Sequence, residues 1–358
     1  MLNDYIEHYW LLYVIIFGVG FGIALFLTPW SRVISIALGA VAKPSPRGMH
    51  KKPIPRMGGL AIVLGFMAAM VVALFFMEEL RTLQFAGFIV GGIIIVGLGM
   101  LDDIYELKAG IKFAVQIVAA LVVVFTDTRI IFVGWPLQEV FTTFSIPITI
   151  LWIVGIINAL NLIDGVDGLA AGVTSIAALF LTVLCIMTGS PLAVVFAAAL
   201  AGSCLGFLPR NFSPADVIMG DTGSTFLGYV LAVSSIIGVY KSYAALSVVI
   251  VVFALALPIL DTVFVSIRRV LSGKAPWRPD RGHLHHKLID RGYSQKQTVV
   301  ILYIVSIIAG GIAILIAVQD IRAVIIGLVL MLVLFSIIYA YRKRVGDRDK
   351  SGKSDESE

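Results

Sequence analysis

The chain has 358 residues, of which 59% are hydrophobic and only 14% charged, with a mean hydropathy of +1.00. Soluble domains carry nearer a quarter charged residues, so a soluble globular protein is excluded and a polytopic membrane protein is indicated. The net charge of +5 follows the placement of Lys and Arg among loops and does not argue for nucleic acid, while two cysteines, Cys185 and Cys204, make neither a disulfide framework nor a zinc site.

In chain order, eleven apolar segments can span a bilayer: residues about 9–28, 57–76, 84–101, 111–126, 145–162, 169–187, 191–208, 224–240, 243–267, 298–318 and 323–340. The expected fold class is an all-α polytopic integral membrane protein. It comprises one transmembrane domain over residues 1–340 and a polar tail, 341–358, of mixed charge that is expected to be disordered. The first segment is too long, and lacks the basic flank, for a cleaved signal peptide. The connection from Thr126 to Ile146, with "RIIFVG" and a Trp135-Pro136 step, is long for an outer loop and is expected to form a small β-hairpin.

The loops after the odd-numbered segments, with the tail, hold 23 of the 27 Lys and Arg residues. Those loops are expected to be cytoplasmic, which puts the N-terminus outside and the C-terminus inside.

The polar motifs collect on that same face. "KPSPRGMHKKPIPRMGG" brings His50 and Arg56, and "GLGMLDDIYELKAGIKFAVQ" brings Asp102, Asp103 and Lys112. "NALNLIDGVDGLAAG" brings Asn158, Asn161, Asp164 and Asp167. "GFLPRNFSPADVIMGDTGSTFLG" brings Arg210, Asn211 and Asp221. "LPILDTVFVSIRR" brings Asp261, and "SGKAPWRPDRGHLHHKL" brings Arg281, His283, His285, His286 and Lys287. Each has an ordinary explanation alone: a solvated acid pair, Asn158 and Asn161 as interhelical glue, a DG turn, an Asp cap on segment 8, a surface histidine loop. Together, on one face of a chain with so few charges, they point to a functional cluster. Converging carboxylates need a cation, and oxygen donors without cysteine favour Mg²⁺, or Mn²⁺ in its place, over Zn²⁺. Mg²⁺ takes one or two carboxylates and completes its shell with water and substrate phosphates, so a phosphate-bearing substrate is implied.

The stretches "PRMGG", "LDDIYELKAGIKFAVQ", "NALNLIDGVDGLAAG", "NFSPADVIMGDTGS", "PILDT" and "DRGHLHHKL", in that order from about Pro44 to Leu288, resemble the polyprenyl-phosphate N-acetylhexosamine-1-phosphate transferases. The "HLHH" form resembles the branch that uses UDP-N-acetylglucosamine; the branch transferring phospho-N-acetylmuramoyl-pentapeptide typically has three adjacent histidines there. The chain departs from the family pattern at Ala42 and Gly48, where relatives often have Asp and Lys. The resemblance implies a Mg²⁺-dependent enzyme of the bacterial plasma membrane, a homodimer, with its site on the cytoplasmic face. It implies attack by undecaprenyl phosphate on UDP-N-acetylglucosamine, release of UMP, and a lipid-linked pyrophosphoryl sugar that initiates a surface polymer such as a teichoic acid or O-antigen.

Under that resemblance Asp221 and Asn161 are the expected metal ligands, and Asp102, Asp103, Asp164, Asp167 and Lys112 the expected catalytic set. Asn158, Asn161, Asn211, Arg281, His283, His285, His286, His50 and Arg56 are expected to bind substrate. Adjacent Asp102 and Asp103 point about 100° apart on a helix and so are expected to differ in role. The alternative is an ion-coupled transporter, but such proteins place acids near mid-membrane. Here Asp261, after Pro258, comes nearest and lies only seven residues from Arg268.

Overall fold

The computed structural model describes residues 2–42, 53–130, 142–238 and 284–317. Among them are ten α-helices: α1 (Leu2–Ala37), α2 (Gly59–Phe76), α3 (Leu83–Tyr105), α4 (Ala109–Phe125), α5 (Ser145–Ile163), α6 (Leu169–Thr188), α7 (Pro191–Asn211), α8 (Gly220–Gly238), α9 (Leu284–Ile289) and α10 (Gln295–Ala317). Seven of these are long and apolar enough to cross a membrane: α1, α2, α3, α5, α6, α7 and α10. The chain is a multi-pass helical membrane protein, since a helix pairs most of its backbone polar groups within itself where lipid offers no partner.

The helix ends follow local chemistry. Thr82 caps α3 by accepting from Phe85 N, and Pro191 opens α7, where its missing N–H costs nothing. α1 runs further than its apolar segment suggests, through Pro29 to Ala37. Thr28 and Ser31 return their hydroxyls to the carbonyls of Ala24 and Thr28 beside that proline.

α7 and α8 form the centre of the bundle. α7 is rich in Ala and almost wholly buried between α1, α2, α6 and α8. α8 packs on α2, α3, α5, α6 and α7. Without a hydrophobic drive between helices in lipid, such contacts rest on close packing and interhelical hydrogen bonds. Phe88 and Phe196 stack at 3.9 Å, Tyr229 Oη donates to Phe88 O (2.8 Å), and Trp152 Nε1 donates to Ser235 Oγ (3.0 Å).

Nine of the expected segments fall on α1–α8 and α10. The segments at 243–267 and 323–340, the tail, Asp261, and residues 131–141 of the expected hairpin lie outside the described residues. Two features were not anticipated. α8 starts at Gly220, four residues earlier than the apolar run, so "GDTGS" is its first turn. A two-residue antiparallel pair, β1 (Val41–Ala42) with β2 (Ile54–Pro55), closes the connection between α1 and α2. Two residues carry no readable period, yet this clasp delivers Arg56 to the site.

Candidate active site

The ends of α3 and α5 and the starts of α2, α4 and α8 meet at one membrane border. The junction is tied by backbone hydrogen bonds: Gly58 N donates to Ile218 O (2.9 Å), Gly59 N to Met219 O (2.8 Å), and Ile218 N to Pro55 O (2.9 Å).

Asp102 and Asp103, both buried, end α3 and diverge. Asp103 crosses to the N-terminus of α8, where orphan N–H groups and the helix dipole favour an anion. Its Oδ1 accepts from Asp221 N (2.9 Å), and its Oδ2 accepts from Thr222 N (2.9 Å) and Thr222 Oγ1 (2.6 Å). Asp103, rather than a residue of its own chain segment, thus caps α8, and it fixes where Asp221 points. Asp102 turns the other way. Its Oδ1 accepts from Leu107 N (2.7 Å) and its Oδ2 from Lys112 Nζ (2.6 Å).

Lys112, one turn into α4, bridges two carboxylates. Its Nζ lies 2.6 Å from Asp102 Oδ2 and 2.6 Å from Asp221 Oδ2. Arg56 clamps the end of α3, donating from Nε to Asp103 O (3.0 Å), from Nη2 to Asp102 O (3.1 Å) and from Nη1 to Glu106 Oε1 (3.2 Å). Asp103 O is among the last carbonyls of the helix, which a C-terminus leaves short of partners, while Asp102 O also accepts from Glu106 N (2.9 Å). Arg56 is thereby placed as a support for the two aspartates.

At the end of α5, Asn161 Nδ2 donates to Ser224 Oγ (3.1 Å), and its side chain also reaches Asp221. Asp164 follows at the C-cap, half-buried. Burial, then the charges of Asp221, Asp103 and Asp167, hold its carboxyl well above the usual carboxylate range. Asp167 and Asn211 hold the turn that follows. Asp167 Oδ2 accepts from Ala215 N (3.1 Å), Asn211 Oδ1 from Gly168 N (3.1 Å), and Asn211 Nδ2 donates to Val217 O (3.1 Å). Asn158 lies one turn deeper, its Nδ2 donating to Gln116 Oε1 (2.7 Å) across α4 and α5.

The structure therefore brings together Asp102, Asp103, Lys112, Asn161, Asp164 and Asp221, supported by Arg56. It places Asp167, Asn211 and Asn158 in the surrounding scaffold. His50, Arg281 and His283 lie outside the described residues; His285 and His286 are on α9, of which only the backbone is described there. Gln116, Thr222 and Ser224 were not anticipated. Gln116 had a signal, as the single amide in the apolar run of α4, and Thr222 and Ser224 sit within the "GDTGS" turn itself.

Gly220 permits the junction. Its φ is +72°, and a Cβ there would fall 1.7 Å from Arg56 O and 2.7 Å from both Asp103 oxygens. Gly220→Ala is expected to abolish activity and to lower the thermal midpoint in detergent, since backbone strain and a backbone clash act together. Wild-type activity in that variant would contradict the packing described.

The donor set suits a hard cation. Six carboxylates, Asp102, Asp103, Glu106, Asp164, Asp167 and Asp221, gather around two cations, Lys112 and Arg56, among the described residues. Asp164 has other carboxylates beside it, and Asn161 commits its amide nitrogen while its carbonyl remains an available oxygen. Among the described residues no three His, Cys, Asp or Glu side chains form a closed metal cage. Mg²⁺ does not need one, because one or two carboxylates with water and phosphates suffice.

A profile of glycosyl transferase family 4 matches residues 85–239, from α3 to α8. The chain is 42% identical over 298 residues to a probable undecaprenyl-phosphate N-acetylglucosaminyl 1-phosphate transferase of Bacillus subtilis, with 82% of each chain covered. It is 38% identical over 321 residues to the decaprenyl-phosphate N-acetylglucosaminephosphotransferase of Mycolicibacterium smegmatis, covering 81% of this chain and 79% of that one. It is 25% identical over 292 residues to an undecaprenyl-phosphate alpha-N-acetylglucosaminyl 1-phosphate transferase of Salmonella typhi, covering 79% and 78%. With identity of this order sustained over four-fifths of its length, and with the carboxylate junction falling inside the matched region, the chain belongs to glycosyl transferase family 4.

Proposed function

We propose that the protein transfers N-acetylglucosamine-1-phosphate from UDP-N-acetylglucosamine to undecaprenyl phosphate, releasing UMP. The lipid-linked pyrophosphoryl sugar so formed would prime a cell-surface polysaccharide. The observation that carries this reading is the Asp102–Lys112–Asp221 bridge at the membrane border, with Asp164 left among like charges. A transporter acid belongs near mid-membrane; these acids stand at helix ends, where a lipid phosphate and a soluble nucleotide can meet.

In this reading an oxygen of the lipid phosphate forms a bond to the β-phosphorus, and the bond from that phosphorus to the bridging oxygen breaks. The departing electron pair leaves with UMP. One pyrophosphate linkage replaces another, so the reaction is close to balanced and reversible. The dominant task is to bring two polyanions together. Asp221, Asp164 and Asn161 would hold a Mg²⁺, which supplies neutralising charge to the diphosphate. Lys112 offers its ammonium to the incoming lipid phosphate. Asp102 orients that ammonium and stands ready to accept a proton from a singly protonated lipid phosphate. Asp103 and Arg56 keep Asp221 and Asp102 in register. Arg281, His283, His285, His286 and His50 remain proposed contacts for the sugar and nucleotide. The remaining parts of the proposal are eleven spans, an external N-terminus, a cytoplasmic site in a bacterial plasma membrane and a homodimer.

The test is UMP release by purified protein with Mg²⁺ and UDP-N-acetylglucosamine. Release is expected only when undecaprenyl phosphate is added. Release without lipid, or none with it, would overturn the assignment.

A pH dependence follows from Asp164. Because its proton is held more tightly than usual, a cation must displace that proton, and it does so less readily as pH falls. The Mg²⁺ concentration giving half-maximal rate is expected to rise as pH is lowered from about 8 to about 6. Asp164→Asn should raise it at all pH values and flatten the trend. A pH-independent Mg²⁺ requirement in wild type would remove Asp164 from the metal set.

A further inference from the structure

A second polar site lies on the same border, away from the carboxylates. The stripe Pro29, Arg32, Val33 and Ile36 on α1 has i, i+3, i+4, i+7 spacing and so forms one helix face. It faces Arg210, at the end of α7, and Asp216 and Val217 in the connection to α8. Together with Thr28 they enclose an open cavity of about 330 Å³.

Its depth can be read from α1. Trp10 and Trp30 are both exposed and twenty residues apart, which is about 30 Å along a helix and matches the hydrocarbon core of a bilayer. Arg32 is the first Lys or Arg of the chain and stands just beyond Trp30. The cavity therefore opens at headgroup depth, with Val33 and Ile36 facing outward beside it. Arg210 Nη1 pairs with Asp216 Oδ2 at 3.1 Å, so its charge is partly used. Arg32 makes no hydrogen bond or ion pair with any described residue. Among the described residues that line it, two cations against one anion leave the cavity positive.

We propose that this furrow seats the headgroup of an anionic phospholipid, its phosphodiester against Arg32 and Arg210 and its glycerol and upper acyl carbons along Pro29, Val33 and Ile36. A soluble phosphate would gain nothing from the apolar wall, and a zwitterionic headgroup would bring its own cation to an already positive site. Nothing in the transfer reaction uses these residues, so this inference stands apart from the proposed function.

The test uses the full chain extracted from nanodiscs of equimolar phosphatidylglycerol and phosphatidylcholine and examined by native mass spectrometry. Wild type should retain phosphatidylglycerol in preference to phosphatidylcholine. Arg32→Gln and Arg210→Gln should each reduce that retained fraction several-fold. Asp216→Asn should increase it, because it frees Arg210; a change that merely unfolded the region would lower it instead. Inorganic phosphate at millimolar concentration should not displace the lipid. Equal retention of the two lipids, an unchanged fraction in Arg32→Gln and Arg210→Gln, a lower fraction in Asp216→Asn, or displacement by phosphate would each overturn the proposal.

Discussion

Asp221→Asn is expected to lose roughly 30- to 1,000-fold in turnover while leaving the fold intact, about 2–4 kcal/mol of transition-state stabilisation. Asp221 stands at the start of α8 with its backbone N–H bound to Asp103 and its side chain 2.6 Å from Lys112. The amide substitution keeps the backbone bond, so the helix start should hold. It removes one negative charge from the place where a cation and a diphosphate would meet, and it releases Lys112 to pair with Asp102 alone. Both changes weaken the cluster's hold on a divalent cation. Higher Mg²⁺ is therefore expected to restore part of the rate, with the thermal midpoint of the free protein unchanged. Turnover near that of wild type at limiting Mg²⁺ would remove Asp221 from the metal set. A deficit accompanied by a lower midpoint would instead assign it a structural part.

Much of this arrangement was legible in the sequence because membranes make charge expensive. Asp102, Asp103, Asp164 and Asp221 stood out against long apolar runs, and the runs among the described residues became helices. What could not be read was which acid faces which partner. Asp103 and Asp221 are 118 residues apart, and nothing local tells that one caps the helix carrying the other. Arg56 presented the same difficulty. The resemblance made it a substrate contact, and nothing local told that a two-residue strand pair also turns it onto the carbonyls of α3. Asn158 carried both readings at the outset, ligand contact and interhelical glue, and its bond to Gln116 supplies the second. Polar side chains in lipid are equally useful to packing and to chemistry, and only the three-dimensional neighbours distinguish them.

The neighbouring aspartates of α3 should separate most clearly on mutation. Asp103 accepts three hydrogen bonds, two from the first N–H groups of α8 and one from Thr222 Oγ1. An asparagine there has one acceptor oxygen, and its NH₂ would be turned against an N–H donor. Leaving buried donors without partners costs about 1–3 kcal/mol each. Asp103→Asn is thus expected to lower the thermal midpoint by about 5 °C or more and to lose activity because Asp221 shifts with the loosened helix start. Asp102 has a different exposure to loss. Its substitution by Asn preserves an oxygen for Leu107 N and removes one of the two carboxylates around Lys112, so repulsion within the cluster falls. Asp102→Asn should keep the wild-type midpoint and lose roughly 100-fold in rate, within the range of general acid–base catalysis. If Asp102 accepts a proton from the lipid phosphate, that deficit should shrink above pH of about 6, where a phosphomonoester is already a dianion. If Asp102 only orients Lys112, the deficit should stay level with pH, and Lys112→Met should match it. Equal midpoints and equal rates for the two Asn variants would contradict the divergence of these side chains.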